Sequence, residues 1–226
     1  MIVDSSTTDS MAARRFDPEL IASMFTPSVA VRVGQVDPGA TSPLPAEAQA
    51  MAGVRPSRRA EFFTGRTLAR LAMTDAGLSP CELAVGEDRA PCWPSGLHGT
   101  IAHAGTWCLA AVSLTNSIGI DIEPCDQRLD DVHSVVLAPT EAMPSVAGLG
   151  QRDCEVDPVL IAFCAKEAVF KATWPLDHVW REFGDVAITV TGNTFAVTWA
   201  AEPLPGEVVG QWAIHADHVV TTAWVI

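Results

Sequence analysis

The chain has 226 residues, 48% of them hydrophobic, and a formal net charge of −13. That length allows one large domain or two of about 100 residues each, and the apolar share supplies a buried core in place of general disorder. The acidity repels phosphate backbones at long range, which argues against a nucleic-acid partner, and no apolar run reaches the roughly 18 residues a membrane span needs.

The opening MIVDSSTTDSMAARRFDPEL has no basic segment followed by an apolar one, so no secretory leader is expected and the chain reads as soluble and cytoplasmic. Residues 1–15 read as frayed. The loop DPGATSPLP (37–45) leads into a helical region, where AEAQAMAGV begins one helix and SRRAEFFTGRTLARLAM (57–73) a second, with Ser57 as its N-cap. GLSP breaks that helix, and GEDRAPCWPSGLHG (86–99) is rich in turn residues. TIAHAGTWCLAAVSL (100–114) and SIGIDIEP (117–124) read as two strands around a Thr-Asn-Ser turn. PVLIAFCAKEAVFKATW (158–174) is a strong helix, stopped by Pro175. The remainder, DVAITV, TFAVTWA, VVGQWAIHA and HVVTTAWVI, predicts three or four antiparallel strands. Helix followed by strands thus occurs twice, with the changeover near Asn116. The reading is an α+β chain of two similar halves, 1–116 and 117–226.

The six cysteines (Cys81, Cys92, Cys108, Cys125, Cys154 and Cys164) form no C-x-x-C and no cysteine–histidine spacing suited to zinc. Cys108 and Cys164 sit inside apolar runs, where a reduced thiol behaves as a small hydrophobe.

Four clusters could carry chemistry. In Gly119-Ile120-Asp121-Ile122-Glu123-Pro124, the strand period of two places Asp121 and Glu123 on one face and the isoleucines on the other. Paired carboxylates repel unless a proton or cation is shared, and hard oxygen ligands suit magnesium. Taken alone, the hexapeptide equally describes the solvated face of an edge strand. Lys166-Glu167-Ala168-Val169-Phe170-Lys171 places Glu167 and Lys171 four apart on one helical face, the spacing of an ordinary surface pair. Both lysines of the chain fall within these six residues, while twelve arginines carry the remaining positive charge. A lysine ammonium suits a phosphate oxygen as a point charge. Arg55, Arg58, Arg59, Arg66 and Arg70 crowd sixteen residues, and helical geometry gathers Arg59, Arg66 and Arg70 in a narrow sector with Arg55 nearby. His103 stands alone in a strand-like run, as readily a core residue as a functional one. The other five histidines form no ligand pattern.

In this order and spacing the clusters resemble the long, single-chain phosphopantetheinyl transferases, of the enterobactin-type and actinobacterial branch. That family's signatures are G-[IV]-D-x-E and, about forty residues on, [FW]-[SCT]-x-K-E-[AS]-x-x-K. Here they read Gly119-Ile120-Asp121-Ile122-Glu123 and Phe163-Cys164-Ala165-Lys166-Glu167-Ala168-Val169-Phe170-Lys171. RRAEFFTGRTLAR, PCWPSGLHGTIAH and FKATWPL extend the likeness over roughly residues 43 to 190.

The resemblance implies two similar α/β halves with the site in a cleft between them. It implies transfer of the 4'-phosphopantetheine arm of coenzyme A to a serine of acyl or peptidyl carrier proteins of polyketide, fatty-acid or nonribosomal peptide synthases, with adenosine 3',5'-bisphosphate released. Asp121 and Glu123 would hold Mg2+ with the Ile122 carbonyl. Glu167 would be a further ligand or the general base. Lys171, and less directly Lys166, would neutralise phosphate charge. Arg58, Arg66 and His103 would meet the phosphate on the ribose, with Ala102 among the coenzyme contacts. Gly86, Glu87, Asp88 and Arg89 would lie along the adenosine. Two departures stand out: Val85 replaces a lysine of relatives, a charge that Arg89 could supply, and helix geometry favours Arg59 where the resemblance favours Arg58. The carrier would dock on a basic or apolar surface of the C-terminal half, and a duplicated fold needs no dimer, so a monomer is expected. The competing reading is a magnesium-dependent nucleotide phosphohydrolase, which needs the same charges but no carrier.

Overall fold

The computed structural model describes residues 16–25, 28–139, 141–144, 156–200, 203–204 and 206–226. The reading of residues 1–15 as frayed, and that of Cys154, lie outside the described residues.

The chain is a mixed α+β fold with two antiparallel sheets. The first half supplies α1 (Pro18–Ser23), β1 (Ala30–Gln35), α2 (Pro45–Ala50), α3 (Pro56–Asp75), β2 (His98–Ala104) and β3 (Trp107–Ser113). The second supplies β4 (Ile118–Pro124), α4 (His133–Val136), α5 (Pro158–Asp177), β5 (Val186–Thr191), β6 (Thr194–Trp199), β7 (Val208–His215) and β8 (His218–Val225). The strand orders are β1-β3-β2 and β4-β8-β7-β6-β5. The twenty-residue α3 covers the first sheet, and the equally long α5 covers the second at β4 and β8.

Several boundaries differ from the sequence expectation. The run 100–114 is two strands: Ala104 pairs with Trp107 across a two-residue turn in which Gly105 has φ +55, a backbone glycine adopts freely. Helix α3 begins at Pro56 with no side-chain cap from Ser57, because proline is preset for the first helical position and gives up only an N–H that would be unpaired there anyway. It ends in a Schellman turn, where Leu78 N donates to Met73 O and Gly77 N to Thr74 O around left-handed Gly77. Helix α5 runs past Pro175 to Asp177 and closes on left-handed His178. So near the end of a helix, the missing proline N–H removes one bond without unravelling the rest. The Asp157 side chain caps its start by accepting from Val159 N.

Strand β4 joins the halves. Ile118, Ile120 and Ile122 are buried in one cluster with Ala102, Leu109 and Ala111 of the first sheet and Val220 and Trp224 of the second. Thr100 Oγ1 of β2 accepts from Ile120 N. Segment 16–25, which the sequence reading left without an element, joins the same cluster through Phe16, Ile21, Met24 and Phe25. The opposite face of β4 lies against α5. A Cβ on Gly119 would sit 1.8 Å from Ala168 O, so only glycine allows helix and strand to approach this closely.

Candidate active site

Asp121 and Lys171 form the centre of the site. The close approach at Gly119 brings the next residue on that face, Asp121, under the last turns of α5. Lys171 Nζ donates to Asp121 Oδ1 at 2.5 Å and to Ile120 O at 3.3 Å. Asp121 is only 6% exposed, and its second oxygen, Oδ2, is buried without a hydrogen-bond partner.

Glu123 lies two residues along the same strand face, and Glu167 one helical turn before Lys171. Burial pushes Glu123 up to about 7, with Asp121 and Glu167 adding to the rise and Lys171 opposing it. Burial also raises Glu167, with Lys171 opposing and Asp121 reinforcing. For Lys171, burial favours the neutral amine, yet the charges of Asp121 and Glu167 and the Asp121 hydrogen bond outweigh it, so its pKa is raised. Three carboxylates around one ammonium leave surplus negative charge in a partly dry setting. A divalent cation would relieve that surplus and would find the orphaned Asp121 Oδ2 waiting, so the donor set fits magnesium. The Ile122 side chain is buried in the core, leaving only its carbonyl to offer.

From the other half, β2 and α3 bring His103 and Arg58 together, His103 Nε2 lying 2.5 Å from Arg58 Nη1. Glu61 completes this group by accepting from Arg58 Nη1 at 3.1 Å. Burial lowers the His103 pKa, and Lys171 and Asp121 both act on the ring across the boundary between the halves. Arg58, not Arg59, therefore faces His103. Ala102 points into the core and has only its backbone to offer.

Arg66 is buried and donates from Nε to Leu83 O, with its guanidinium over the Phe62 ring at 4.2 Å. Burial brings its pKa down to about 10. Leu83 N in turn donates to Glu47 Oε1, which also accepts from Arg70 Nη1. Glu47 and Arg66 thus grip the base of a small hairpin in which Val85 bridges to Pro91. Its tip is tight: Gly86 N donates to Ala90 O, Arg89 N to Gly86 O, and Ala90 N to Asp88 Oδ1. The other Asp88 oxygen accepts from Trp174 Nε1 of α5 at 2.5 Å.

Lys166 does not join the group around Asp121 and Lys171. It is 3% exposed and donates to Val136 O, Glu141 Oε2 and Phe183 O on the far side of α5. One helical residue is about 100°, so Lys166 and Lys171, five apart, diverge by about 140° around the axis and cannot serve one point. Motif spacing alone could not show this. Glu47, Glu61, Glu141 and Trp174 were missed as well. Only Trp174 had a signal, lying one turn beyond Phe170 and Lys171. Among the described residues, the three potential ligand side chains lying within 4.8 Å of one another are Asp130, His133 and Asp157, which are separate from the site; there His133 bonds Asp157, which also caps α5. The histidine spacing gave no hint of it. The carboxylates of Asp121, Glu123 and Glu167 are more widely spaced.

The sequence matches known families over most of its length. The family model for the 4'-phosphopantetheinyl transferase N-terminal domain matches residues 46–113, and that for the 4'-phosphopantetheinyl transferase superfamily matches 117–223. The chain is 37% identical over 190 residues to 4'-phosphopantetheinyl transferase Svp of Streptomyces mobaraensis, covering 78% of this chain and 76% of the relative. It is 35% identical over 162 residues to 4'-phosphopantetheinyl transferase PptT of Mycobacterium tuberculosis, covering 68% and 67%. Enterobactin synthase component D of Escherichia coli is 36% identical over 121 residues, 51% of this chain and 55% of that protein.

Proposed function

Because the chain belongs to the 4'-phosphopantetheinyl transferase superfamily, we propose that it moves the 4'-phosphopantetheine group of coenzyme A onto a serine of an apo carrier protein, releasing adenosine 3',5'-bisphosphate. The observation that carries this reading is the Asp121–Lys171 pair with its unpartnered Asp121 Oδ2, set beside His103 and Arg58 of the other half. It supplies carboxylates for a cation and separate basic groups for phosphates. No comparison favours the phosphohydrolase alternative.

In this reading the coenzyme lies between the halves. Arg58, His103 and the buried Arg66 face the phosphate on the ribose, and residues 86–90 run along the adenosine. Asp121 and Glu123, with the Ile122 carbonyl, would hold magnesium, which when bound would withdraw charge from the diphosphate. Glu167, whose raised pKa makes it a stronger proton acceptor than an ordinary glutamate, takes the serine hydroxyl proton. The serine oxygen bonds to the pantetheine-bearing phosphorus, the diphosphate P–O bond breaks, and the bridging oxygen leaves with the adenosine bisphosphate. Lys171 stays protonated and neutralises that leaving oxygen.

A cavity that runs from Glu167 round α5 toward Lys166, lined by Phe170, Trp180 and Phe183 with Arg181 and Glu182 at hand, offers a largely apolar place for the pantetheine arm. Leu176 in the last turn of α5 and Val179 and Trp180 just beyond it are exposed, Trp180 to 66%, and give the carrier an apolar landing surface. Among the described residues no helix is long and apolar enough to cross a membrane. The free thiols of Cys81, Cys92, Cys108 and Cys164 are in keeping with a cytoplasmic setting. The deciding experiment is mass spectrometry of an apo carrier protein after incubation with coenzyme A, Mg2+ and this enzyme. The carrier should gain one phosphopantetheine, and Asp121→Ala should abolish the gain. Release of bisphosphate from coenzyme A with no carrier present would favour the phosphohydrolase instead.

A further inference from the structure

The hydrogen bond between Trp174 and Asp88 crosses from one half to the other, and nothing in the reaction just described uses it. The two oxygens of Asp88 have separate tasks. Oδ1 accepts from Ala90 N within the turn, while Oδ2 accepts from Trp174 Nε1 on the helix that carries Glu167 and Lys171. The turn it braces is strained: Arg89 has φ +67, a left-handed backbone uncommon for a residue with a side chain. The hairpin base is gripped separately, at Leu83, by Glu47 and Arg66. The loop is therefore fixed at its foot by its own half and at its tip by the other. Trp174 is itself held in place, stacked on Phe170 with ring centroids 5.5 Å apart and edge-on to Trp180 at 6.4 Å.

The geometry points to Trp174 as a positioning residue for coenzyme A. Its indole N–H holds Asp88 so that the turn at residues 86–90 is already shaped, and already set against the catalytic helix, before the coenzyme arrives. The inference rests on the transferase reading and adds a residue to it. A loop ordered in advance loses less conformational freedom on binding, so the strap acts on affinity and leaves the chemical step alone. Trp174 touches no reacting group.

The test uses Trp174→Phe, which keeps an aromatic ring on Phe170 while removing the donor together with the second ring of the indole. With an apo carrier at saturation and coenzyme A varied, KM for coenzyme A should rise about five- to tenfold, the effect of losing one exposed hydrogen bond, with kcat within about twofold. Asp88→Asn, which keeps one oxygen for Ala90 N and sets an NH2 against Trp174 Nε1, should raise KM as well, and the double variant should fall short of the two single effects combined because the bond they share can be lost only once. In the coenzyme-free protein, amide hydrogen exchange at Arg89 and Ala90 should quicken in Trp174→Phe, while exchange in β2 and β3 stays as in the wild type. An unchanged KM, a fall in kcat at constant KM, additive single effects or unchanged exchange would each overturn the assignment. If the wild type modified no carrier, the transferase reading would fall instead, and the exchange measurement alone would still decide whether Trp174 holds the turn.

Discussion

Lys171 Nζ and Asp121 Oδ1 lie 2.5 Å apart, and the other oxygen of that same carboxylate is buried without a partner. One carboxylate thus faces an ammonium on one side and has an open lone-pair site on the other. Asp121→Asn preserves shape but removes the charge that both an incoming cation and Lys171 require. Transferase activity should fall by about a hundredfold or more, and stabilisation of the fold by added Mg2+ should disappear in a thermal melt.

Glu123 yields a pH prediction. Its carboxyl titrates near 7 in the folded protein against an ordinary value of 4.5, so the native state holds a proton the unfolded chain has released. Stability from this group is fully present below about 4.5 and is lost as pH rises through about 7. Without metal, the melting temperature should decline across that window more in the wild type than in Glu123→Gln. Added Mg2+ should restore more at pH 8 than at pH 6, because it favours the ionised form. Melts at several pH values, with and without the ion, measure both effects.

Arg58 and Arg59 are neighbours with different surroundings, and only Arg58 bonds to His103. Arg58→Ala should raise KM for coenzyme A by about tenfold, the usual effect of losing one charged hydrogen-bond donor. Arg59→Ala should leave it unchanged. Steady-state kinetics with both variants separates the two arginines.

Lys166 and Glu141 form a buried pair, and Glu141 also accepts from Ala138 N and Ile188 N. Glu141→Ala leaves the ammonium uncompensated and should destabilise the protein by about 3–5 kcal/mol. Denaturant titration measures this. Lys166→Met strands the buried Glu141 carboxylate and should cost a similar amount, whereas replacing both charges together by apolar residues should be milder than either single change.

Gly119→Ala tests the packing of strand on helix. The added methyl would meet the backbone of Ala168, which cannot rotate away. Destabilisation of about 3 kcal/mol or more is expected, read as a drop in melting temperature of roughly 6–12 °C.

The sequence makes some of this plain and hides the rest for identifiable reasons. Asp121 and Glu123 on one strand face, opposite buried Ile120 and Ile122, follow from period two alone. The long helices follow from their apolar spacing and their prolines. Segment 16–25 and β1 are too short and irregular to announce themselves, since their stability comes from Trp107, Val220 and Trp224, all distant in sequence. Lys166 misleads because a shared motif does not tell which side of the helix each lysine faces. The Glu47 and Asp88 contacts join residues 36 and 86 positions from their partners Leu83 and Trp174, a separation no local pattern encodes.

The three isoleucines of β4 belong to a cluster that draws on both sheets and on the first described segment of the chain. Each half also has buried clusters of its own, around Leu68, Leu83 and Cys108 in the first and Leu160, Ile161 and Trp212 in the second, but separating the halves would strip β4 of the packing that the shared cluster gives it. Heating should produce a single cooperative melt with no surviving lobe. A cavity opened at Leu109, on the first sheet, should loosen the strand beneath Asp121 and weaken whatever hold that carboxylate has on a cation.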